Sequence, residues 1–371
     1  MAESVGVAIA GAGPIGCALA AALRGAPFAV ARLGDEAAAR DRPIALSHGS
    51  RLILERLGLW SGVRATPIRA VHVSQRGALG RTLMTAREHG LPALGYVASY
   101  ADVLAPLAAA APAAAAALVD WTPDRDGVRV RTRGSEGEIR TRLLVLADGG
   151  GAVPMDHARE YGQQALVAEV RPERPHRGVA WERFTAEGPI ALLPFGDDLA
   201  LVWSAPAPTI RRLLQMSEPE FLAALGASFG GKLGAFTSVG QRGAFPLSLR
   251  YRTESAGANV IVIGNAAQTL HPVAGQGLNL GLRDAWELAE LLLDTPAHRI
   301  GDAGLVSRFV RRRTSDRRAG IAVTDSLVRL FSNDWPLIGA ARGAGLLAFD
   351  ILPPARRFLA RRMMFGTRGL P

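Results

Sequence analysis

Val260-Ile261-Val262-Ile263-Gly264-Asn265-Ala266-Ala267-Gln268-Thr269-Leu270-His271-Pro272-Val273-Ala274-Gly275-Gln276-Gly277-Leu278-Asn279 decides how this chain is read. Its first four residues form an apolar run of the length of a buried strand. From Leu278 to Leu293, Leu282, Ala285, Leu288, Ala289 and Leu292 recur at helical spacing. The residues between are mostly small, so bare backbone can approach another molecule closely. The following helix aims free N–H groups and a partial positive charge at the same place. A flavin ring suits that site, because its reduced form carries negative charge near N1 and C2=O.

Outward from there, the partner stretch is at the other end of the chain. Val7-Ala8-Ile9-Ala10 leads into Gly11-Ala12-Gly13-Pro14-Ile15-Gly16. Gly11 permits a tight turn, Gly13 lets backbone approach a pyrophosphate, and Gly16 allows close helix–strand packing. With Pro14 they are the candidate site for the ADP half of a dinucleotide. This motif alone does not choose FAD over NAD; the two loops together predict one non-covalent FAD held between distant parts of the sequence.

An acidic residue that binds the ribose usually ends the second strand of such a unit. Here Phe28-Ala29-Val30-Ala31 runs into Arg32, then Leu33-Gly34-Asp35-Glu36. Either Asp35 or Glu36 reaches the ribose, or Arg32 lies along the adenosine or a phosphate, or all three are surface charges. Asp148-Gly149 ends the apolar run Leu143-Leu144-Val145-Leu146. Its carboxylate either accepts hydrogen bonds from a ribityl chain or makes an Asx turn. His271 is either a proton-handling group or a structural histidine. Asp284 reads as a helix-surface or capping partner rather than a catalyst.

The rest of the pattern predicts an α/β protein: a Rossmann-like FAD-binding domain, an inserted antiparallel β-sheet substrate domain and a helical C-terminal region. The FAD-binding domain is expected at 1–68, 91–162 and 249–330, the substrate domain at 69–90 and 163–248, and the C-terminal region at 331–371. Ile44 to Leu59 reads as a helix, Ala101 to Leu118 as a helix with a proline interruption, and Val71 to Met84 as a hairpin. Short apolar stretches between 163 and 247, separated by Pro and Gly, give the antiparallel signature.

Composition narrows the function classes. The 371 residues are 49% hydrophobic, enough for a large core. The single cysteine, Cys17, excludes a disulfide framework and a Cys-based zinc site, and no metal site is expected. The net charge of +10 is carried almost wholly by arginine. It reflects either codon bias or attraction to anionic lipid; no nucleic-acid motif accompanies it. No signal peptide or membrane span is legible, so a cytoplasmic protein is expected, in peripheral contact with the inner membrane if the C-terminal pattern serves lipid. That pattern is Gly345-Leu346-Leu347-Ala348-Phe349-Asp350-Ile351-Leu352, then Pro353-Pro354, then Arg356, Arg357, Arg361 and Arg362 alternating with Phe358, Leu359, Met363, Met364 and Phe365. It fits an interfacial helix or one packed on the core.

Taken together these residues resemble the flavin-dependent aromatic hydroxylases of ubiquinone biosynthesis, within the para-hydroxybenzoate hydroxylase-like group. The resemblance covers essentially the whole chain. It is carried by Gly11 to Gly16, Arg42-Pro43-Ile44-Ala45-Leu46-Ser47, Leu94-Gly95-Tyr96-Val97, Ala147-Asp148-Gly149, Glu182-Arg183-Phe184-Thr185 with Gly188-Pro189, the Gly264 to Asn279 loop, and Ser315-Asp316-Arg317. Asn265 resembles the 2-octaprenyl-6-methoxyphenol hydroxylase branch; most of the wider group carries Asp there.

The resemblance implies FAD, transient NADPH or NADH, and O2 added to reduced flavin as a C4a-hydroperoxide that hydroxylates a polyprenylated phenol. It places Arg42 near the pyrophosphate and flavin. It places Gly264, Asn265, Pro272, Gly275, Gly277, Leu278 and Asn279 around the ribityl chain and ring. Two rivals remain. One is a weakly flavin-binding scaffold subunit of a ubiquinone biosynthetic complex, suggested by Arg32 and the Gly149-Gly150-Gly151 run. The other is a related flavoenzyme with another aromatic substrate.

Overall fold

The computed structural model describes residues 3–35, 41–77, 80–114, 116–134, 138–151, 154–253, 256–270, 275–331 and 352–366. Among them the α-helices are α1 (Pro14–Ala22), α2 (His48–Arg56), α3 (Tyr100–Ala110), α4 (Ala207–Gln215), α5 (Glu218–Phe229), α6 (Gln276–Leu293), α7 (Ala303–Phe331) and α8 (Pro353–Phe365).

Four parallel strands build the first layer, in the spatial order Val260–Val262, Glu138–Leu146, Glu3–Ala10, Val30–Leu33. Glu3–Ala10 is central because it is buried on both faces. Val7 and Ile9 share a core with α1 and α6, while Ala8 and Ala10 pack with residues of the antiparallel strands Leu118–Asp124 and Gly127–Thr132. The chain leaves Glu3–Ala10 toward Val30–Leu33 on one side and returns to Glu138–Leu146 on the other. The crevice beyond such a switch point is where open α/β sheets take ligands. Register makes the strands end level: Ala10 lies beside Leu33 and Leu146, and Leu146 beside Val262. Gly11, Gly34, Asp148 and Gly264 therefore leave from one edge.

The second layer is a nine-stranded sheet. On its main path, Gly243–Tyr251, His157–Pro172, Asp198–Pro206, Pro189–Phe195, Val179–Phe184, Ala70–Gln75 and Arg81–Thr85 follow one another. It is antiparallel except where Val179–Phe184 meets Ala70–Gln75, two strands joined by a long crossover rather than a turn. One face carries α4 and α5, whose Ile210, Leu213, Phe221, Leu225 and Phe229 close over Leu166, Leu192, Leu201 and Trp203. The other face meets a small three-stranded sheet of Pro43–Ser47, Gly95–Ser99 and Ala65–Ile68, with Ala180 and Ala200 against Ile68 and Val97. Strand His157–Pro172 begins ahead of position 163, where the inserted domain was expected to start, because its first residues already pair with Ser248–Tyr251.

Two helical expectations need correction. Pro43–Ser47 is a strand, paired with Gly95–Ser99, and the helix starts only at His48, where Ser47 Oγ accepts the Ser50 N–H at 3.1 Å. Tertiary pairing outweighs the local pattern there. Helix α3 stops at Ala110, ahead of Pro112, and Leu118 opens a strand. The hairpin expected within 71–84 is present as Ala70–Gln75 with Arg81–Thr85.

Candidate active site

The two glycine loops meet. A Cβ on Gly11 would collide with the carbonyl of Ala147, and one on Gly16 with the carbonyl of Gly11. Those two glycines are required by the turn itself. Gly13 is different: it precedes α1 in extended conformation, and a Cβ there would find only Tyr100 Oη, at 3.5 Å. The fold alone does not demand glycine at 13. Pro14 is the buried first residue of α1.

Ile15 joins this loop to the second one. A Cβ on Gly264 would press on Ile15 at 3.2 Å, and one on Gly281 of α6 would lie 2.8 Å from Ile15 Cδ1. Gly264 and Gly275 both have positive φ, 62° and 58°, which glycine adopts without strain. Gly275 caps α6 in the left-handed conformation, and Gln276, Gly277 and Leu278 form its half-buried first turn. Asn265 is exposed, and a Cβ on Gly277 would lie 3.8 Å from its Oδ1. Gly150 approaches the Asn265 carbonyl in the same way, at 3.4 Å, so the loop after Asp148 borders the second loop. Asp148 itself is exposed and makes the Asx turn, Oδ1 accepting from Gly150 N–H at 3.1 Å. His271 and Pro272 lie outside the described residues.

Asn279 is only 2% exposed, and protein groups use its whole amide. Oδ1 accepts from Ser47 N–H and Ser50 Oγ–H, both at 2.7 Å; Nδ2 donates to the carbonyls of Ala45 at 2.9 Å and Gly275 at 2.6 Å. Its side chain therefore clamps the second loop to the Pro43–Ser47 strand.

Arg32 corrects the surface-charge reading. It is 8% exposed, its Nε donates to the Ala111 carbonyl at 2.6 Å, and Nη1 has no partner among the described residues. Asp35 instead bonds Arg133 at 2.9 Å, an exposed pair, and Glu36 lies outside the described residues. Arg42 is exposed and stacks over Tyr100, 5.2 Å from the ring centroid, which brings it to the Gly13 side of the crevice. Tyr100 was missed by motif reading, because its relation to Gly13 exists only in three dimensions. Burial raises the Cys17 thiol pKa, and Arg32 partly opposes the shift; the thiol is a packed side chain.

Asp284 is not a surface residue. It is buried, with Oδ2 accepting from Gly264 N–H and Oδ1 bonded to Arg313 Nε at 2.7 Å. Burial lowers the pKa of Arg283, although Asp316 opposes it. At Asp316 the opposite holds: burial raises its pKa, but Arg283 and Arg313 outweigh that and hold it low.

A family profile described as an FAD binding domain matches residues 4–305. The ubiquinone hydroxylase UbiL of Rhodospirillum rubrum is 34% identical, with 97% of this chain and 89% of that protein covered. The 3-demethoxyubiquinol 3-hydroxylase of Escherichia coli is 30% identical over 93% of this chain and 94% of its own. In fold, the chain is similar to pqsL, a probable FAD-dependent monooxygenase from Pseudomonas aeruginosa, at 20% identity with a TM-score of 0.75, covering 93% of this chain and 100% of that one. With two glycine loops converging at one sheet edge and these relatives matched along nearly their whole length, the chain belongs to the FAD-dependent hydroxylases of ubiquinone biosynthesis.

Proposed function

We propose that this enzyme hydroxylates a polyprenylated phenol on the way to ubiquinone, with FAD as resident cofactor, O2 as oxidant and NADPH or NADH as a visiting donor. The observation that carries this is the meeting of the Gly11–Gly16 loop with Gly264 and Gly281, through Ile15, at one edge of the parallel sheet, in a chain so similar to ubiquinone hydroxylases. The residues fit FAD. Gly13 leaves bare backbone at the start of α1, and Arg32 holds a buried donor with no partner among the described residues.

In this reading the first turn of α1 binds the pyrophosphate, with Arg42 held over Tyr100 beside it. Arg32 Nη1 reaches the adenosine half. Asp148, Gly264 and Asn265 border the ribityl chain. Gly275, Gly277 and Leu278 offer backbone N–H groups and the α6 dipole to the ring. Asn279 holds that turn in place, and His271 handles a proton beside Pro272. Bound flavin supplies the reducing equivalents and activates oxygen; the protein positions the phenol and excludes water.

Purified protein should be yellow. With NADPH and a prenylated methoxyphenol it should consume O2 and release a hydroxylated product. A flavin-loaded protein that oxidises neither NADPH nor NADH with such phenols would favour a scaffold role.

A further inference from the structure

We propose that Glu182 recognises the phenolic hydroxyl of the aromatic substrate, accepting its hydrogen bond; this rests on the hydroxylase reading above. Glu182 lies in strand Val179–Phe184, opposite Ala191 on one side and Val73 on the other. Directly opposed residues share a face. Glu182 therefore stands in one row with Val73, Ala191, Val202 and Val167.

Which face this is follows from the neighbours. The alternate row, with Trp181, Leu192, Leu201 and Ala168, packs with α4 and α5. Ala180, two residues from Glu182 and on its face, meets Ile68 and Val97 of the three-stranded sheet. Glu182 is thus turned toward the three-stranded sheet, whose Pro43–Ser47 strand Asn279 ties to the second glycine loop. Every member of its row is only half-buried, so the face is not sealed there.

A carboxyl group in a wall of valine and alanine is costly unless something partners it. Glu182 has no hydrogen bond or ion pair among the described residues. Its flanking residues on this face are uncharged. The charged groups of the adjoining strands, His72, Arg81 and Arg183, gather with Lys232 on the opposite face. From the three-stranded sheet Ile68 and Val97 approach. From α8 come Ala360, Met364 and Phe365, packed with Val71 and Val73. Of the α8 arginines, Arg356 is bound to Glu88, and Arg357 and Arg361 act on His89. Burial alone pushes the Glu182 carboxyl up to about 7. A phenol ring laid on the Val–Ala row would bring its hydroxyl to the one ionisable group of that row, beyond which Thr82 stands opposite Val73.

The test uses FAD-loaded protein titrated with a short-chain prenylated methoxyphenol, read by perturbation of the flavin spectrum. Binding by wild type should tighten roughly tenfold between about pH 6 and about pH 8, as a group titrating near 7 ionises. Glu182→Gln should keep its FAD, bind the phenol more weakly at the upper pH and lose the pH dependence. Glu182→Asp should recover part of it. Wild-type binding that does not change with pH, or a Gln variant that matches wild type while wild type hydroxylates the phenol, overturns this assignment alone. A holoprotein that neither binds the phenol nor oxidises NADPH with it overturns the hydroxylase reading and this assignment together.

Discussion

The carboxylate of Asp284, in the middle of α6, accepts a 3.1 Å hydrogen bond from the backbone N–H of Gly264. The same carboxylate takes Gln268 Nε2 at 3.1 Å and Arg313 of α7 at 2.7 Å. Arg313, 1% exposed, also bonds Glu287 and Asp316, both at 2.8 Å, and Arg317 Nε holds the Gln268 amide oxygen at 2.7 Å. Helix α7 thus fixes the shape of the second loop through a buried set of charges.

The first prediction follows from that network. Arg313→Met leaves Asp284, Glu287 and Asp316 buried without their shared cation. Breaking a buried pair from one side costs about 3–5 kcal/mol. Urea denaturation of the apoprotein should show that loss, and flavin occupancy should fall with it. A variant within about 1 kcal/mol of wild type would mean that packing, not charge, holds the loop.

The two first-loop glycines should separate folding from binding. Gly11→Ala forces a methyl group into the Ala147 carbonyl and should destabilise the fold. Gly13→Val meets only the end of Tyr100 and should fold with a melting temperature close to that of wild-type apoprotein, yet retain no yellow colour. Gly13→Val protein with full flavin occupancy would remove Gly13 from the cofactor site.

This contrast shows what the sequence can carry. Local signals were enough for the glycine turns, the parallel strands and the long α6, because each rests on period and on a turn that only glycine allows. The Pro43–Ser47 strand was hidden, since its pairing partner is some 50 residues away and its own residues suit a helix equally well. Asp284 reads as a helix-surface or capping partner, and Arg32 stays open between a cofactor role and a surface charge, because their partners, Arg313 and the Ala111 carbonyl, come from distant positions. Asn279 was legible as part of the loop, but its use as a four-way clamp was not.

Glu182 gives a stability prediction with a definite sign. Its folded-state pKa of about 7 lies above the ordinary 4.5. The fold prefers the protonated form, so this contribution is fully present below about pH 4.5 and is lost as pH rises through about 7. Apoprotein carrying Glu182→Gln should then be the more stable at pH 8, by up to about 3 kcal/mol, with no advantage in acid. Equal denaturation midpoints at both pH values would show that the carboxylate is hydrated in the apoprotein.

For Arg32 the geometry reverses a simple expectation. Restoring an acid at the usual ribose position would set a carboxylate against the Ala111 carbonyl, so Arg32→Glu should lower both stability and FAD affinity. Arg32→Met keeps the volume and removes the Nη1 donor, which has no partner among the described residues. FAD binding, followed by quenching of flavin fluorescence, should weaken by about 1–3 kcal/mol if Nη1 makes a charge-assisted bond to the adenosine half. Wild-type affinity in the Met variant would show that Nη1 does not reach the cofactor.

The last prediction concerns α8. Its inner face is core: Ala360, Met364 and Phe365 pack with Met84 and Leu94. Its outer face is not. Phe358 is 70% exposed, Arg357 and Arg361 are exposed beside it, and Leu352 is exposed just before the helix. Arg356 is taken by Glu88 and Arg362 is half-buried, so two of the four arginines are left to face outward. The apolar run 345–351 that precedes them lies outside the described residues. None of the described helices is long and apolar enough to cross a membrane, which leaves contact at the surface as the way this helix would meet lipid. An aromatic ring between two cations suits an anionic bilayer surface, and a polyprenyl tail has to be drawn from lipid. The protein should float with anionic vesicles, less so at high salt. Changing Arg357 and Arg361 to Gln should weaken partitioning roughly thirtyfold, at about 1 kcal/mol for each basic residue near the surface. Phe358→Ser should weaken it further without loss of flavin, because the residue is 70% exposed. Equal flotation of all variants, or none by wild type, would leave α8 as a packing helix only.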